Sequence, residues 1–274
     1  MKNYVLTSIF IILISHTGFS QKSLTDEFKY KATYQITWQI DSTNAESVQT
    51  EVMDLYLGDK VSRFSSRERL AGDSLLQARK KNPKEFSGKF KGAPQTEFDY
   101  YIYKGVGDGK LAFTQKIVKD NLMYIQDMDQ FEWEILPETK EFAGYQVQKA
   151  TTNFAGRNYI AWFTPEIPIS DGPYKFNGLP GLIVEVSDDQ DHYFFRLTDF
   201  KILKEPVPFE FDPEEYIATS REKLLYALAE YDRDPFAALG KVGITMKFKP
   251  GQKEKMMKEH KETLQKRNNP IELE

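Results

Sequence analysis

Apolar and polar side chains alternate most clearly between residues 28 and 40. Every second position there is apolar: Phe28, Tyr30, Ala32, Tyr34, Ile36, Trp38 and Ile40. Lysine, threonine and glutamine occupy the positions between them. Because successive side chains of a strand point to opposite faces, this pattern predicts a long strand with one buried face and one face in water.

Shorter apolar runs follow at close spacing along the chain. They predict strands over residues 51–57, 60–65, 98–104, 111–119, 122–127, 131–136, 145–152, 157–163, 181–187 and 192–200. Few helical patterns separate these runs, which favours antiparallel neighbours over a parallel sheet. We therefore predict a mainly β (α+β) fold, in which a single antiparallel, curved meander sheet is followed by a helical C-terminal third.

Helical patterns are predicted at three places. Residues 67–82 form a polar, helix-prone stretch. Asp212-Pro213 supplies an N-cap and a proline at the first helical position, which predicts the start of a second helix. Residues 250–274 are helix-prone but charged on nearly every side, so we expect a helical or frayed tail. No repeat or break in composition divides residues 21–274, which we expect to form one domain.

The first twenty residues have the layout of a secretory signal peptide. Lys2 carries a positive charge, Tyr4–Ser15 form an apolar run, and Gly18 and Ser20 place small residues before the expected cleavage site. The apolar run is shorter than the roughly 20 residues that a membrane span needs. We therefore expect cleavage after Ser20 and a periplasmic or secreted protein that is not an integral membrane protein.

The composition excludes several kinds of chemistry. The chain has no cysteine, which excludes disulfides, thiolate metal sites, cysteine nucleophiles and a lipoprotein anchor. The chain has a net charge of −4 and so lacks the excess of basic residues typical of a nucleic-acid-binding protein. Phosphate-cradling glycine loops and zinc-protease motifs are absent from the sequence. We predict no cofactor, no metal and no nucleic-acid partner.

The stretch between the strands predicted at 157–163 and 181–187 contains the candidate site. Its prolines fix backbone angles and its glycines permit turns or close backbone approach. A connection of this length in a compact domain is usually functional or packed on itself, and both interpretations stay open. As a binding platform or a structural motif we single out Trp162, Phe163, Pro165, Pro168, Gly172, Pro173, Tyr174, Phe176, Gly178, Pro180 and Gly181.

The same stretch carries a resemblance to a known family. Residues 178–183 read Gly-Leu-Pro-Gly-Leu-Ile, and the chain resembles the GLPGLI family, which is named for this hexapeptide. Gly156-Arg157, Ala161–Thr164 and Asn269–Leu273 also look like the family pattern. The resemblance implies an exported protein of Gram-negative bacteria, often found beside outer-membrane transport genes, in a family with no established reaction. Val147 stands where many members carry cysteine.

These observations together predict a non-catalytic, exported envelope protein. We expect an accessory or binding protein that works beside outer-membrane transport, with an outer-membrane or periplasmic protein as a possible partner. A periplasmic carrier of an apolar ligand is one alternative, because aromatic residues make up 14% of the chain. They could line a cavity in a curved sheet, or they could fill an ordinary core.

Two further alternatives rest on short motifs. Gly72-Asp73-Ser74-Leu75 matches the block of GDSL-type serine hydrolases, in which Ser74 would attack, His192 would accept its proton and Asp189 would orient the imidazole. Ser74 lies in a charged helical stretch, however, which argues against a nucleophile that should follow a buried strand. Asp188, Asp189 and Asp191 could bind Ca²⁺, but without EF-hand spacing they favour a solvated hairpin tip.

Overall fold

One twelve-stranded sheet forms the framework of the part of the chain that the structure describes. The structure is a computed structural model that describes residues 23–82 and 94–274. The strands are β1 (Leu24–Gln39), β2 (Val48–Leu57), β3 (Ser62–Ser66), β4 (Tyr100–Gly105), β5 (Lys110–Ile117), β6 (Asp120–Gln126), β7 (Glu134–Phe142), β8 (Tyr145–Phe154), β9 (Arg157–Thr164), β10 (Leu182–Asp188), β11 (Tyr193–Phe211) and β12 (Ile217–Ala218). The helices are α1 (Arg67–Lys81), α2 (Val106–Gly109, a single turn), α3 (Arg221–Arg233), α4 (Pro235–Lys241) and α5 (Gln252–Gln265).

The alternation at residues 28–40 corresponds to β1, the centre of the sheet. Ala32, Tyr34 and Ile36 are completely buried on one face of this strand. β1 pairs antiparallel with β2 on one side and with β11 on the other. The Tyr34 hydroxyl donates a hydrogen bond of 2.8 Å to the carbonyl oxygen of Ile183, which ties the central strand to the start of β10.

The strand order corrects the predicted sheet type. β1 to β6 form one run of antiparallel neighbours, β7 to β11 form a second, and the β1–β11 pair joins the two runs. β12 then pairs parallel with β6, with Ile217 opposite Leu122. The sheet is therefore mixed, and the prediction of a purely antiparallel meander is wrong. A two-residue strand is too short to leave an alternation that can be detected in the sequence.

The predicted helical C-terminal third is also wrong. α1 lies between β3 and β4, and the last third of the chain contains all of β11, all of β12 and extended segments beside α3, α4 and α5. Asp212 does act as a cap, because its carboxylate accepts from the N–H of Glu214 at 2.9 Å. The helical turn that it starts ends at Glu215. The chain then extends along β6, and α3 begins at Arg221 with Ser220 as its cap.

The sheet curls around a short part of the β9–β10 connection, residues 173–177. The ring centroid of Tyr174 lies 6.2 Å from that of Tyr100 on β4. The ring centroid of Phe176 lies 4.8 Å from that of Tyr159 on β9. Strands from both runs of the sheet therefore face the same segment, and the larger of the two core clusters lies between them.

The predicted signal peptide, residues 1–20, lies outside the described residues. Within the two described ranges, none of the helices has the length and apolar character needed to cross a membrane.

Candidate functional site

The central part of the β9–β10 connection (residues 165–181) occupies the inside of the curled sheet. Every residue from Asp171 to Asn177 is buried. Of the predicted site residues in this connection, the buried ones are Gly172, Pro173, Tyr174, Phe176 and Gly181, and the exposed ones are Pro165, Pro168, Gly178 and Pro180. Of these predicted site residues, the structure therefore places the first group in the core and leaves three prolines and one glycine at the surface.

Alternation separates Trp162 and Phe163 at the end of β9. Phe163 is buried and Trp162 is half-buried, as the period of two predicts. The Lys140 ammonium lies 4.3 Å from the centroid of the Trp162 ring and forms an ion pair with Glu185. A lysine of β7 therefore partly covers the tryptophan ring.

Close backbone approach fixes the end of the connection. The N–H of Leu182 donates to the carbonyl oxygen of Ile167 at 3.0 Å. Gly181 has a φ of +154°, and a Cβ at this position would lie 2.1 Å from the carbonyl oxygen of Thr164. Glycine is required here because any side chain would collide with the backbone at the end of β9.

The rings of Tyr174 and Phe176 belong to the core. Tyr174 adopts a φ of +53°, which is uncommon for a bulky residue. Phe176 packs against Tyr159 at 4.8 Å and Phe131 at 5.2 Å between ring centroids. Their burial favours the structural interpretation for these two residues, because neither ring is available to a partner on the surface.

A buried lysine anchors the connection to β4. The Lys104 ammonium forms an ion pair with Asp171 and donates to the carbonyl oxygens of Gly172 at 2.7 Å and Phe176 at 3.3 Å. Burial lowers the pKa of Lys104, and the carboxylate of Asp171 opposes this shift. One cation thus binds three groups of the connection at once.

A second buried lysine, Lys175, lies inside a box of aromatic rings. Its Nζ atom lies between 5.4 and 6.0 Å from the ring centroids of Phe113, Tyr124, Phe154 and Tyr174. It pairs with Glu272 Oε1 at 2.5 Å and donates to Gln126 Oε1 at 2.8 Å. Burial lowers the pKa of Lys175, and the carboxylate of Glu272 opposes this shift.

Sequence analysis did not single out Lys104, Lys175 or Glu272. A signal for the two lysines exists, because Lys104 directly follows Tyr103 in an aromatic-rich strand and Lys175 stands between Tyr174 and Phe176. A charge inside an apolar run points to a buried ion pair. The partners lie far along the chain, so the sequence does not reveal which carboxylate each lysine binds.

The residues of the serine-hydrolase alternative lie in separate environments. Ser74 is exposed in the middle of α1. His192 Nδ1 lies 3.3 Å from a guanidinium nitrogen of Arg157. Asp189 accepts a hydrogen bond of 2.9 Å from Asn158. His192 therefore has a cation beside it where a triad would need an orienting carboxylate.

The acidic loop between β10 and β11 is used internally. Asp188 is buried, pairs with Arg157 at 2.6 Å and accepts from the backbone N–H of Tyr193 at 2.8 Å. Asp189 and Asp191 are exposed. Across the described parts of the chain, no cluster of three or more His, Cys, Asp or Glu side chains is arranged to hold a metal ion.

An open cleft of about 1080 Å³ lies elsewhere on the molecule, where β2 and β5 face α3. Its acidic lining residues are Glu51, Glu68, Glu97, Asp99 and Asp232, and its basic ones are Arg67, Lys116 and Arg267. The carboxylate of Glu51 links two parts of the lining, because it accepts a hydrogen bond of 2.5 Å from the Thr96 hydroxyl and another from the Ser66 hydroxyl. The volume is slightly larger than the roughly 300–1,000 Å³ usual for ligand sites.

Comparison with known families gives one match, and it falls on a stretch that runs through the core. A sequence model of a family described as "Protein of unknown function (Porph_ging)" matches residues 155–185. This stretch contains β9, the buried connection and the hexapeptide at 178–183. No curated protein matches the chain in sequence. The match supports similarity to a family of unknown function over a short stretch, and the GLPGLI name stays a prediction.

Two solved structures of PNGF-II, in the C2 and P21 space groups, are similar in fold. Each has a TM-score of 0.50 and 12% sequence identity to this chain. The similarity covers 74% of this chain and 33% of the PNGF-II chain, so this protein corresponds to about a third of that molecule. At this identity the similarity concerns the fold alone.

Proposed function

We propose that this protein is an exported, non-catalytic binding protein of the cell envelope that works beside outer-membrane transport and belongs to the GLPGLI family. The resemblance at residues 178–183 and the signal-peptide pattern at residues 1–20 support export and the envelope. The cleft supports binding. The reaction alternatives receive no such support, because Ser74 and His192 lie in separate environments.

The observation that carries the binding proposal is the polar cleft. The interior, where an apolar ligand would sit, is occupied by Tyr174, Phe176 and Leu179, which are all buried. The cleft is open and lined by charges of both signs. We therefore favour a polar ligand with both charges, such as a peptide segment, over an apolar cargo.

Blocking the cleft tests the binding proposal. Thr50 is an exposed residue of β2 that lines the cleft, and Thr50→Trp would fill part of it without changing charge. We expect protein purified from the envelope to carry a bound ligand in native mass spectrometry and Thr50→Trp to lose it. Lys204→Trp, at an exposed position of β11, is the control and should keep the ligand. An adduct that survives Thr50→Trp would contradict the proposal.

Export is tested separately by N-terminal analysis of the protein recovered from cells. We expect the mature chain to begin at Gln21 and to occur in the periplasmic or secreted fraction. A chain that begins at Met1 and sediments with membranes would contradict export, whatever the outcome at the cleft.

A further inference from the structure

The last residues of the sequence lie extended in a groove, where side chains from other elements contact them in the way that a binding site contacts a peptide. We call residues 268–273 the tail segment. The groove residues are Arg157, Tyr159, Tyr174, Lys175, Tyr193 and Arg221, and we call this set the tail groove. Four of the six fall within the family match at residues 155–185. The matched stretch therefore builds most of the surface on which the tail segment lies.

Side chains of the groove recognise three successive backbone carbonyls of the tail segment. The Tyr193 hydroxyl donates to the carbonyl oxygen of Asn269 at 2.6 Å. The Arg157 guanidinium donates to that of Pro270 at 2.7 Å, and the Tyr159 hydroxyl donates to that of Ile271 at 3.1 Å. Contacts to the backbone by tyrosine and arginine side chains hold an extended segment without requiring it to join the sheet.

Two side chains of the tail segment add specificity. Asn269 accepts from Arg157 Nη2 at 2.6 Å and donates to the carbonyl oxygen of Gln39 at 2.7 Å. One side-chain amide thus uses both its acceptor and its donor. Arg157 in turn pairs with Asp188, which fixes the guanidinium in place beneath the segment.

The carboxylate of Glu272 is held by three side chains. Oε1 lies 2.5 Å from the Lys175 ammonium and accepts from the Tyr174 hydroxyl at 2.6 Å, while Oε2 accepts from Arg221 Nε at 2.9 Å. The side chain is only 10% exposed. Two cations and a phenol form a buried carboxylate pocket, and hydrogen bonds to charged groups are the strong ones.

We propose that the tail groove is a peptide-binding site for an extended acidic segment, recognised through a buried carboxylate, and that the chain's own tail segment is its resident ligand. The tail groove and the cleft share no residues, so this proposal can be tested independently of the proposed function. Its ligand class is a peptide with an amide side chain and, three residues later, a glutamate.

The test uses the full chain with a specific protease site inserted between Arg267 and Asn268. After cleavage, a fluorescent peptide of residues 268–274, capped at both ends, is added and its uptake is followed by polarisation. We expect the peptide to exchange into the groove. The Glu272→Gln peptide should bind about 10- to 100-fold more weakly, because it loses charge-assisted hydrogen bonds.

The matched control is the Glu274→Gln peptide, which has the same loss of charge at an exposed position. It should bind within about 3-fold of the unchanged peptide, because an exposed charge contributes little. Equal losses from both substitutions would overturn the proposal, because general charge attraction would then explain the binding. Absence of uptake by folded, cleaved protein would also overturn it.

A second measurement covers the case in which cleavage unfolds the protein. Hydrogen exchange of the uncut chain reports on the Leu273 amide, which donates to the carbonyl oxygen of Ala155 at 2.9 Å. Glu272→Gln in the full chain should speed exchange at this amide about tenfold or more, and Glu274→Gln should not. Unchanged protection in Glu272→Gln would overturn the proposal.

Discussion

Lys104, on β4, and Lys175, within the β9–β10 connection itself, both carry positive charge into the interior. Removing an ammonium from water costs several kcal/mol, and only well-placed partners offset that cost. Lys104 has a carboxylate and two carbonyl oxygens, and Lys175 has a carboxylate, an amide oxygen and four ring faces. These residues fix where the connection lies, because few other positions would satisfy both cations.

The substitution Lys104→Met tests, at the scale of a single residue, how much the buried ion pair contributes to stability. The substitution leaves the Asp171 carboxylate buried without its cation, and we expect a loss of about 3–5 kcal/mol in the free energy of unfolding. Lys110→Met is the control, because Lys110 forms an ion pair with Asp127 that is exposed on both sides. It should have little effect. Urea denaturation measures both, and equal effects would show that burial of the pair is unimportant.

Gly181→Ala tests the close approach at the end of β9. The new Cβ would lie 2.1 Å from a backbone oxygen, so the backbone must shift as well as adopt an unfavourable φ. We expect a loss of about 2–4 kcal/mol. Gly178→Ala has the same chemistry at a φ of +93°, but its Cβ meets Trp133 at an ordinary 3.7 Å. It should cost only about 1–2 kcal/mol, and a reversed order of the two losses would contradict this account.

At the scale of elements, the sequence predicts strands better than it predicts their connections. β1 follows from alternation because its pattern spans many residues and one face is buried. β12 does not, because Ile217 and Ala218 gain their strand conformation only from β6. Asp212 does cap a helical turn, but a capping residue does not determine the length of the helix, which here ends at Glu215. Within residues 250–274, expected to be a helical or frayed tail, α5 is helical, whereas the tail segment lies extended in a groove whose residues come from distant parts of the chain.

The β5–β6 hairpin contains a residue that the local backbone does not favour. Val118 has a φ of +56°, which is strained for a β-branched side chain. Val118→Asn should raise the free energy of unfolding by about 1 kcal/mol, because asparagine tolerates this conformation. Urea denaturation measures the change in stability. The control is Val48→Asn, at an exposed position of β2 where φ is not positive. A loss of stability in Val118→Asn would show that packing of the valine outweighs the strain.

At the scale of the whole molecule, the fold buries tyrosine side chains as well as lysines. Burial raises the pKa above its usual value near 10 for Tyr34, Tyr100, Tyr103, Tyr124, Tyr159, Tyr174 and Tyr193. The folded chain keeps these protons at a pH where the unfolded chain loses them. Their contribution to stability is therefore complete below about pH 10 and is lost as the pH rises above it.

The two buried lysines act in the opposite direction. Their pKa values are lowered in the folded state, so the unfolded chain binds more protons between the folded pKa and about 10.5. Stability therefore rises with pH over that window. The two lysines make stability rise with pH, and the larger number of tyrosines makes it fall. The rise due to the lysines ends near the pH at which the fall due to the tyrosines begins. The tyrosines decide the outcome above about pH 10.

We therefore expect cooperative alkaline unfolding. Urea denaturation at about pH 8 and about pH 11 should show a large loss of stability, with roughly 1.4 kcal/mol per pH unit for each buried tyrosine that titrates only on unfolding. Tyrosinate absorbance should rise together with the loss of folded signal. Tyr34→Phe should reduce the slope by about one proton, since that ring is completely buried. Tyr226→Phe, at a ring that is 68% exposed, should leave the slope unchanged. Tyrosinate that forms while the protein is still folded would show that the interior admits hydroxide, and would contradict a closed, tyrosine-lined core.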